Sequence, residues 1–200
     1  MHLVTDGRLD RASLLAAVRA AAENGVDWVQ VRDHRATAGE LYELARDVVG
    51  ICRPRGTRVA VNDRVDVALA AGADGAQLGR RSLPLEAARQ IAPGLAIGVS
   101  VHALDEALRA DAAGADWLTL GHVFPTSSHP DEPSLGLEAF RRVAATVRTP
   151  VIAIGGIGPE QVASVLAAGA AGVAVISAIL DAADPGAATL RLVREIARRP

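Results

Sequence analysis

Two short runs late in the chain carry residue types that can hold an anion with backbone alone. Residues 150–159 read P-V-I-A-I-G-G-I-G-P, and residues 171–179 read A-G-V-A-V-I-S-A-I. Each is a β-branched run that stops at residues with little or no side chain, so the N–H groups of Gly155, Gly156, Ile176 and Ser177 can approach a phosphate and point at it. Earlier apolar runs end in polar side chains: Asp6, then Arg32, Asp33 and His34, then Asn62 and Asp63, then Arg80 and Arg81, then Ser100 and His102, then His122. His122 is the candidate acid–base residue, because an imidazole titrates near neutrality and can both take and return a proton. It follows an apolar run at 117–120 and precedes a long proline-bearing segment, which predicts a ring at the mouth of a cavity. The Arg32 fork suits an anionic substrate group, unless it is spent on an ion pair with Asp33 or Asp6. Blander roles compete elsewhere: Asp6 as a cap of the first helix or turn, Asn62 and Asp63 as an N-cap pair for a helix near Arg64, and His102 as a cap or supporting residue. The sequence assigns no direction to His34 or His129.

Several chemistries are excluded by composition. The chain has no lysine, all 21 of its Lys-plus-Arg residues being arginine, so Schiff-base catalysis lacks its amine nucleophile. No H-x-x-x-H or C-x-x-C spacing occurs, and no metal site and no cofactor are expected. The lone Cys52 lies in an apolar-periodic segment, which fits core filler in a reducing compartment. A net charge of −2 from scattered acids and arginines, without a basic stretch, argues against nucleic acid or a membrane surface and leaves small molecules as the ligand class. The chain opens on a strand pattern with no export signal before it, so a cytoplasmic protein is expected. The uncharged run at 162–180 is long enough to suggest a membrane span. Its central G-A-A-G, however, matches turns elsewhere in the chain, so helix, turn and buried strand are expected there.

The elements that must position these residues come from a repeat. E-N-G-V-D-W-V-Q-V at 23–31, A-A-G-A-D-G-A-Q-L at 70–78, A-A-G-A-D-W-L-T-L at 112–120 and A-A-G-A-A-G-V-A-V at 167–175 each read as a helix end, a glycine, a short turn and a strand. Further strands are expected at 3–6, 59–63, 96–101 and 151–156, making eight, with helix patterns between them such as 13–23 and 41–52. Eight alternations with buried, non-alternating strands predict an α/β fold, a compact (β/α)8 TIM barrel occupying residues 1–200 as one domain; the runner-up is an open doubly wound sheet. The loop after the sixth strand, 121–135, contains Pro125, Pro130 and Pro133 and is expected to be a binding loop or lid.

The runs V-N-D-R-V-D-V-A-L-A-A-G-A-D-G, G-H-V-F-P-T-S-S-H, G-L-E-A-F, P-V-I-A-I-G-G-I and G-V-A-V-I-S-A-I together resemble the thiamine-phosphate synthase superfamily over the whole chain. That superfamily has two branches. One joins a pyrimidine diphosphate to thiazole phosphate, using Q-x-R-E-K, H-L-G-Q-x-D and T-x-T-K segments whose cations clasp pyrophosphate while two aspartates hold Mg²⁺. Here those segments are Q-V-R-D-H, Q-L-G-R-R-S and T-S-S-H, so His34, Ser82 and His129 replace a lysine, the second aspartate and a lysine. The other branch, TenI, is a thiazole tautomerase, and S-V-H at 100–102 with G-H-V-F at 121–124 is closest to it.

The resemblance therefore implies an isomerase of thiamine biosynthesis. His122 would move a proton within a carboxythiazole phosphate, Gly155, Gly156, Ile176 and Ser177 would hold its phosphate, and Arg32 or Ser100 its carboxylate. Asn62, Thr126 and Ser128 match substrate-contact positions. The alternatives are the synthase itself, with Arg80 and Arg81 standing in for the missing lysines, and a noncatalytic regulator that binds thiazole phosphate. The alanine-rich outer helices, taken with the resemblance, favour a homo-oligomer.

Overall fold

The computed structural model of the protein describes residues 1–126 and 133–198. Eight parallel strands close into a barrel in chain order: β1 (His2–Val4), β2 (Trp28–Val31), β3 (Arg58–Asn62), β4 (Gly75–Leu78), β5 (Ala96–Val101), β6 (Trp117–Gly121), β7 (Val151–Ile154) and β8 (Gly172–Val175). The helices between them are α1 (Arg11–Glu23), α2 (Ala38–Cys52), α3 (Val65–Ala71), α4 (Leu85–Ile91), α5 (Leu104–Ala112), α6 (Leu137–Thr146) and α7 (Pro159–Ala167). The short α8 (Ser177–Leu180) and then α9 (Pro185–Ala197) follow β8. The expected closed barrel is thus the observed one, and the open sheet is not. The 162–180 run is the end of α7, a turn, β8 and α8, and no helix among the described residues is long and apolar enough to cross a membrane.

The repeat has a physical reading. Its glycines, Gly25, Gly72, Gly114 and Gly169, all have positive φ, between 67° and 97°. In each copy the N–H of the next residue reaches back five positions, as in Val26 to the Ala21 carbonyl at 3.2 Å and Ala73 to the Ala68 carbonyl at 2.9 Å. This is the Schellman closure of a helix, which a left-handed residue makes possible. The aspartate two residues after the glycine then ties the turn to the start of the preceding strand. Asp74 accepts the Val59 N–H at 2.8 Å, Asp116 accepts the Ile97 N–H at 2.6 Å, and Asp27 pairs with the α-amino group of Met1. The fourth copy has Ala171 in that place, and a carboxylate from α5, Asp111, instead holds Thr149 ahead of β7 through its N–H at 2.8 Å and its hydroxyl at 2.7 Å.

Two helices begin earlier than their apolar periodicity predicts. Asp10 caps α1 by accepting the Ser13 N–H at 3.0 Å, and Thr37 with Glu40 forms a capping box on α2. Cys52 is buried, its thiol pushed up to about 12 by desolvation, which agrees with a core role.

Alternate strand residues face inward. Leu3, Val29, Val61, Ile97, Leu118 and Val173 pack outward against the helices, while Val4, Trp28, Ala60, Trp117, Ile152 and Ala174 form a separate cluster inside the barrel. The floor of that interior is aromatic: Trp28 and Trp117 lie 5.1 Å apart between ring centres, and His2 stacks on Trp28 at 5.9 Å. Glycine makes room for them. A Cβ at Gly98 would lie 2.1 Å from the Trp117 indole, and one at Gly75 would meet the Ala96 carbonyl at 2.6 Å.

His2 is 7% exposed, and burial lowers its pKa from 6.5 to about 3. The folded chain therefore keeps this imidazole neutral where the unfolded chain protonates it, so stability is full above pH 6.5 and declines as pH falls toward 3. Denaturant unfolding measured from pH 7 to pH 4 is expected to lose about 1.4 kcal/mol per pH unit more in the parent than in His2→Leu. Parallel pH profiles for the two proteins would refute this account of His2.

Candidate active site

The carboxyl ends of the strands open on one mouth, and three groups of residues line it. The first is the glycine-walled cup at β7 and β8, which are adjacent, with Ile154 in register with Ala174. Gly155 and Gly156 both have positive φ, 96° and 65°. Neither position has space for a side chain, since a Cβ at Gly155 would lie 2.2 Å from the His122 Cβ and one at Gly156 would lie 2.4 Å from the Pro125 carbonyl oxygen. The Gly155 carbonyl accepts the Phe124 N–H at 3.1 Å. Among the described residues no turn or loop hydrogen bond engages the N–H of Gly156 or Ser177, and both donors lie at the mouth.

His122 follows β6 through a cis peptide from Gly121 and leans on this cup. Its carbonyl accepts the Leu135 N–H at 2.9 Å, which pins the two ends of the long loop together. His102 supports the same corner, its Nδ1 lying 3.0 Å from the Gly121 carbonyl, and a carbonyl can only accept, so Nδ1 carries the proton. The supporting role expected of His102 is therefore what the geometry gives. Thr126 lies in the described part of the loop; Ser128 and His129 lie outside the described residues.

The second group is cationic and sits across the mouth, after β2, β3 and β4. Arg32 is half-buried, and among the described residues no carboxylate comes within ion-pairing distance of it. Burial pulls its pKa below the ordinary arginine value and the Arg81 charge adds to that, while Asp63 and Asp6 oppose them. The expected alternative, a pair with Asp33 or Asp6, is not made. Asp6 instead accepts the Arg8 N–H at 3.1 Å and pairs with the Arg8 guanidinium, a turn role as anticipated. Arg81 donates to His34 Nδ1 at 2.6 Å, and a guanidinium can only donate, so His34 is neutral with its proton on Nε2. Burial, then Arg32 and Arg81, hold the His34 pKa below its usual value. Arg80 is largely exposed and lies 3.9 Å from Glu106.

Asn62 and Asp63 do not cap α3, whose N-cap is Arg64 without a side-chain bond. Asp63 has φ 61°, in the left-handed region, and its carboxylate reaches over to the Ser82 hydroxyl and the Gly79 N–H, joining the loops after β3 and β4.

The third group is a polar layer inside the barrel between the two walls. Gln30 Nε2 donates to Asn62 Oδ1 at 2.6 Å, which leaves the Asn62 amide nitrogen as a donor. Gln77 Nε2 donates to Ser100 Oγ at 2.9 Å. Gln30 and Gln77 are not among the site residues expected from the sequence, although they head the Q-V-R-D-H and Q-L-G-R-R-S segments; their inward register is a second signal.

The thiamine monophosphate synthase family model matches residues 1–179. The chain belongs to that family. A thiamine-phosphate synthase of Pyrococcus horikoshii is 43% identical over 166 residues, covering 83% of this chain and 79% of the relative. One of Methanoregula boonei is 41% identical over 169 residues, covering 83% and 78%. The structure of a thiamine phosphate pyrophosphorylase from Pyrococcus furiosus superposes with a TM-score of 0.89 at 41% identity, covering 98% of this chain and 95% of that one.

These relatives correct the expectation of a TenI tautomerase, and with it the isomerase class: they are synthases, which are transferases. The physical reason the expectation failed is visible at the cationic wall. It rested on two missing lysines and a missing second aspartate, together with the S-V-H and G-H-V-F runs; the lysines are answered by Arg81, which folds onto His34 beside Arg32 and brings guanidinium charge there.

The resemblance also implies Mg²⁺ on two aspartates. The donor set does not fit: Ser82 replaces one carboxylate and donates to the other, Asp63, and no group of three or more candidate metal ligands occurs among the described residues.

Gly155→Ala tests the cup. It should weaken binding of a phosphorylated thiazole by tenfold or more in calorimetry while lowering stability by ~1–3 kcal/mol. Gly114→Ala, with φ 81° but open space around its Cβ, should lower stability and leave that affinity unchanged.

Proposed function

We propose that the protein is a thiamine-phosphate synthase, a transferase that joins a pyrimidine diphosphate to thiazole phosphate. The observation that carries this reading is the pair of anion-binding walls facing each other over one polar layer: glycine N–H groups on one side, Arg32 and Arg81 on the other. Two phosphorylated substrates need two such walls.

In this reading the thiazole phosphate tail lies against Gly155, Gly156, Ile176 and Ser177, beside His122. The diphosphate lies against Arg32, Arg81 and the His34 Nε2–H, and the pyrimidine ring rests on Gln30, Asn62 and Ser100. Thr126 belongs to the segment that follows β6. The thiazole nitrogen attacks the methylene carbon of the pyrimidine substrate; the new C–N bond forms as the C–O bond to diphosphate breaks, and the electron pair leaves on the diphosphate oxygen. Negative charge grows on that leaving group, so fixed guanidinium donors beside it stabilise the transition state more than the ground state. A half-buried Arg32 with no ion-pair partner among the described residues is suited to this, because none of their carboxylates pairs with its charge. No step is assigned to a metal ion.

The direct test is to mix the protein with hydroxymethylpyrimidine diphosphate and thiazole phosphate, with and without Mg²⁺, and to measure thiamine phosphate and released diphosphate in equal amounts. Formation of neither product would refute the proposal. Arg32→Ala and Arg81→Ala should each lower kcat/KM by ~10- to 150-fold, the ~1.5–3 kcal/mol of a hydrogen bond to a charged group. Arg80→Ala, which removes a largely exposed guanidinium paired at 3.9 Å with Glu106, should stay within about twofold.

A further inference from the structure

Beneath the mouth, one hydrogen-bond chain runs from the aromatic floor to a hydroxyl that faces the substrate. The Trp117 indole N–H, which can only donate, lies 2.8 Å from Gln77 Oε1, and the Thr119 hydroxyl lies 3.3 Å from the same oxygen. That fixes the Gln77 amide, because its oxygen must face Trp117 and its nitrogen must then face Ser100, whose Oγ accepts at 2.9 Å. Gln77 is 1% exposed, so a reversed amide would set an N–H against an N–H with no water to relieve it. Trp117 is fixed in turn by Gly98, where a Cβ would fall 2.1 Å from the indole, and by Trp28 at 5.1 Å between ring centres.

A serine hydroxyl has one hydrogen and two lone pairs. With a lone pair of Ser100 taken by Gln77, and no acceptor for its own hydrogen among the described residues, that hydrogen is turned toward the mouth. We propose that Trp117 and Gln77 are positioning residues that make Ser100 an obligate donor to a ring nitrogen of the bound pyrimidine. This rests on the synthase reading for the identity of the ligand. It adds that the polarity of the contact is set about one barrel layer below the substrate, by a side chain that never touches it.

The test is a double-mutant cycle read by calorimetry of hydroxymethylpyrimidine diphosphate and by kcat/KM. Trp117→Phe keeps the ring and removes the N–H, freeing the Gln77 amide to turn. It should weaken pyrimidine diphosphate binding about fivefold, as for one neutral hydrogen bond. In a Ser100→Ala background the same change should have less than about a twofold effect, because coupled residues do not add. Binding of inorganic diphosphate, which has no ring, should be equal in all four proteins. Gln77→Met, near in volume and unable to hold the hydroxyl, should repeat the pattern and serves if Trp117→Phe does not fold.

Equal losses with and without Ser100 would overturn the proposal, as would parallel loss of inorganic diphosphate binding. Binding that follows the cycle without any product formation would sink the synthase reading alone, whereas turnover with an additive cycle would sink this inference alone. Parent protein that binds no pyrimidine diphosphate would overturn both.

Discussion

The space inside the barrel is the constraint on which the rest depends. Eight strands enclose an interior that side chains must fill, and here two indoles and an imidazole fill its lower part because glycines at 75 and 98 face them. Bulk at the bottom lets the next layer be polar. Gln30 and Gln77 are buried at 6% and 1% exposure, yet each is satisfied by an inward partner, so their desolvation is offset. Above them the strand ends diverge into charged loops. The order from floor to mouth runs from aromatic through amide to ionic.

Electrostatics then divides the mouth. Most charge on the molecule is spent in surface pairs such as Arg11 with Asp47 at 2.8 Å and Arg109 with Asp105 at 2.8 Å, which contribute little. Arg32 differs in being desolvated at the mouth, with no carboxylate close enough to pair among the described residues. An arginine in that state gains most from an arriving anion, and Arg81 beside it adds to the same field. On the far side the cup offers neutral N–H dipoles, which suit a phosphate monoester without trapping it. The asymmetry between a charged and an uncharged wall gives a direction in which two differently charged ligands would sit.

The fold was legible because β-branched runs and the glycine repeat mark every strand and most helix ends locally. The cup was legible for the same reason, since Gly155, Gly156, Ile176 and Ser177 are contiguous with their strands. What escaped notice were bonds between distant positions. Arg81 and His34 are 47 residues apart, Trp117 and Gln77 are 40 apart, and Asp63 reaches Ser82 across two loops. No local pattern announces such contacts, so the sequence alone does not bring the Arg81 guanidinium beside His34 and Arg32. Asp63 shows the same limit: its type suggested a helix cap, but a left-handed backbone turns its carboxylate to the neighbouring loop. The aspartate of the repeat was seen as part of a turn, and its tie to the preceding strand became apparent only with the register.

The aromatic floor has an optical consequence. Trp28 and Trp117 are the only tryptophans in the chain, both 6% exposed and in contact with each other. Tryptophan emission from this protein therefore originates at a single place, shielded from solvent, and one of the two emitters is a single amide away from the hydroxyl at the mouth.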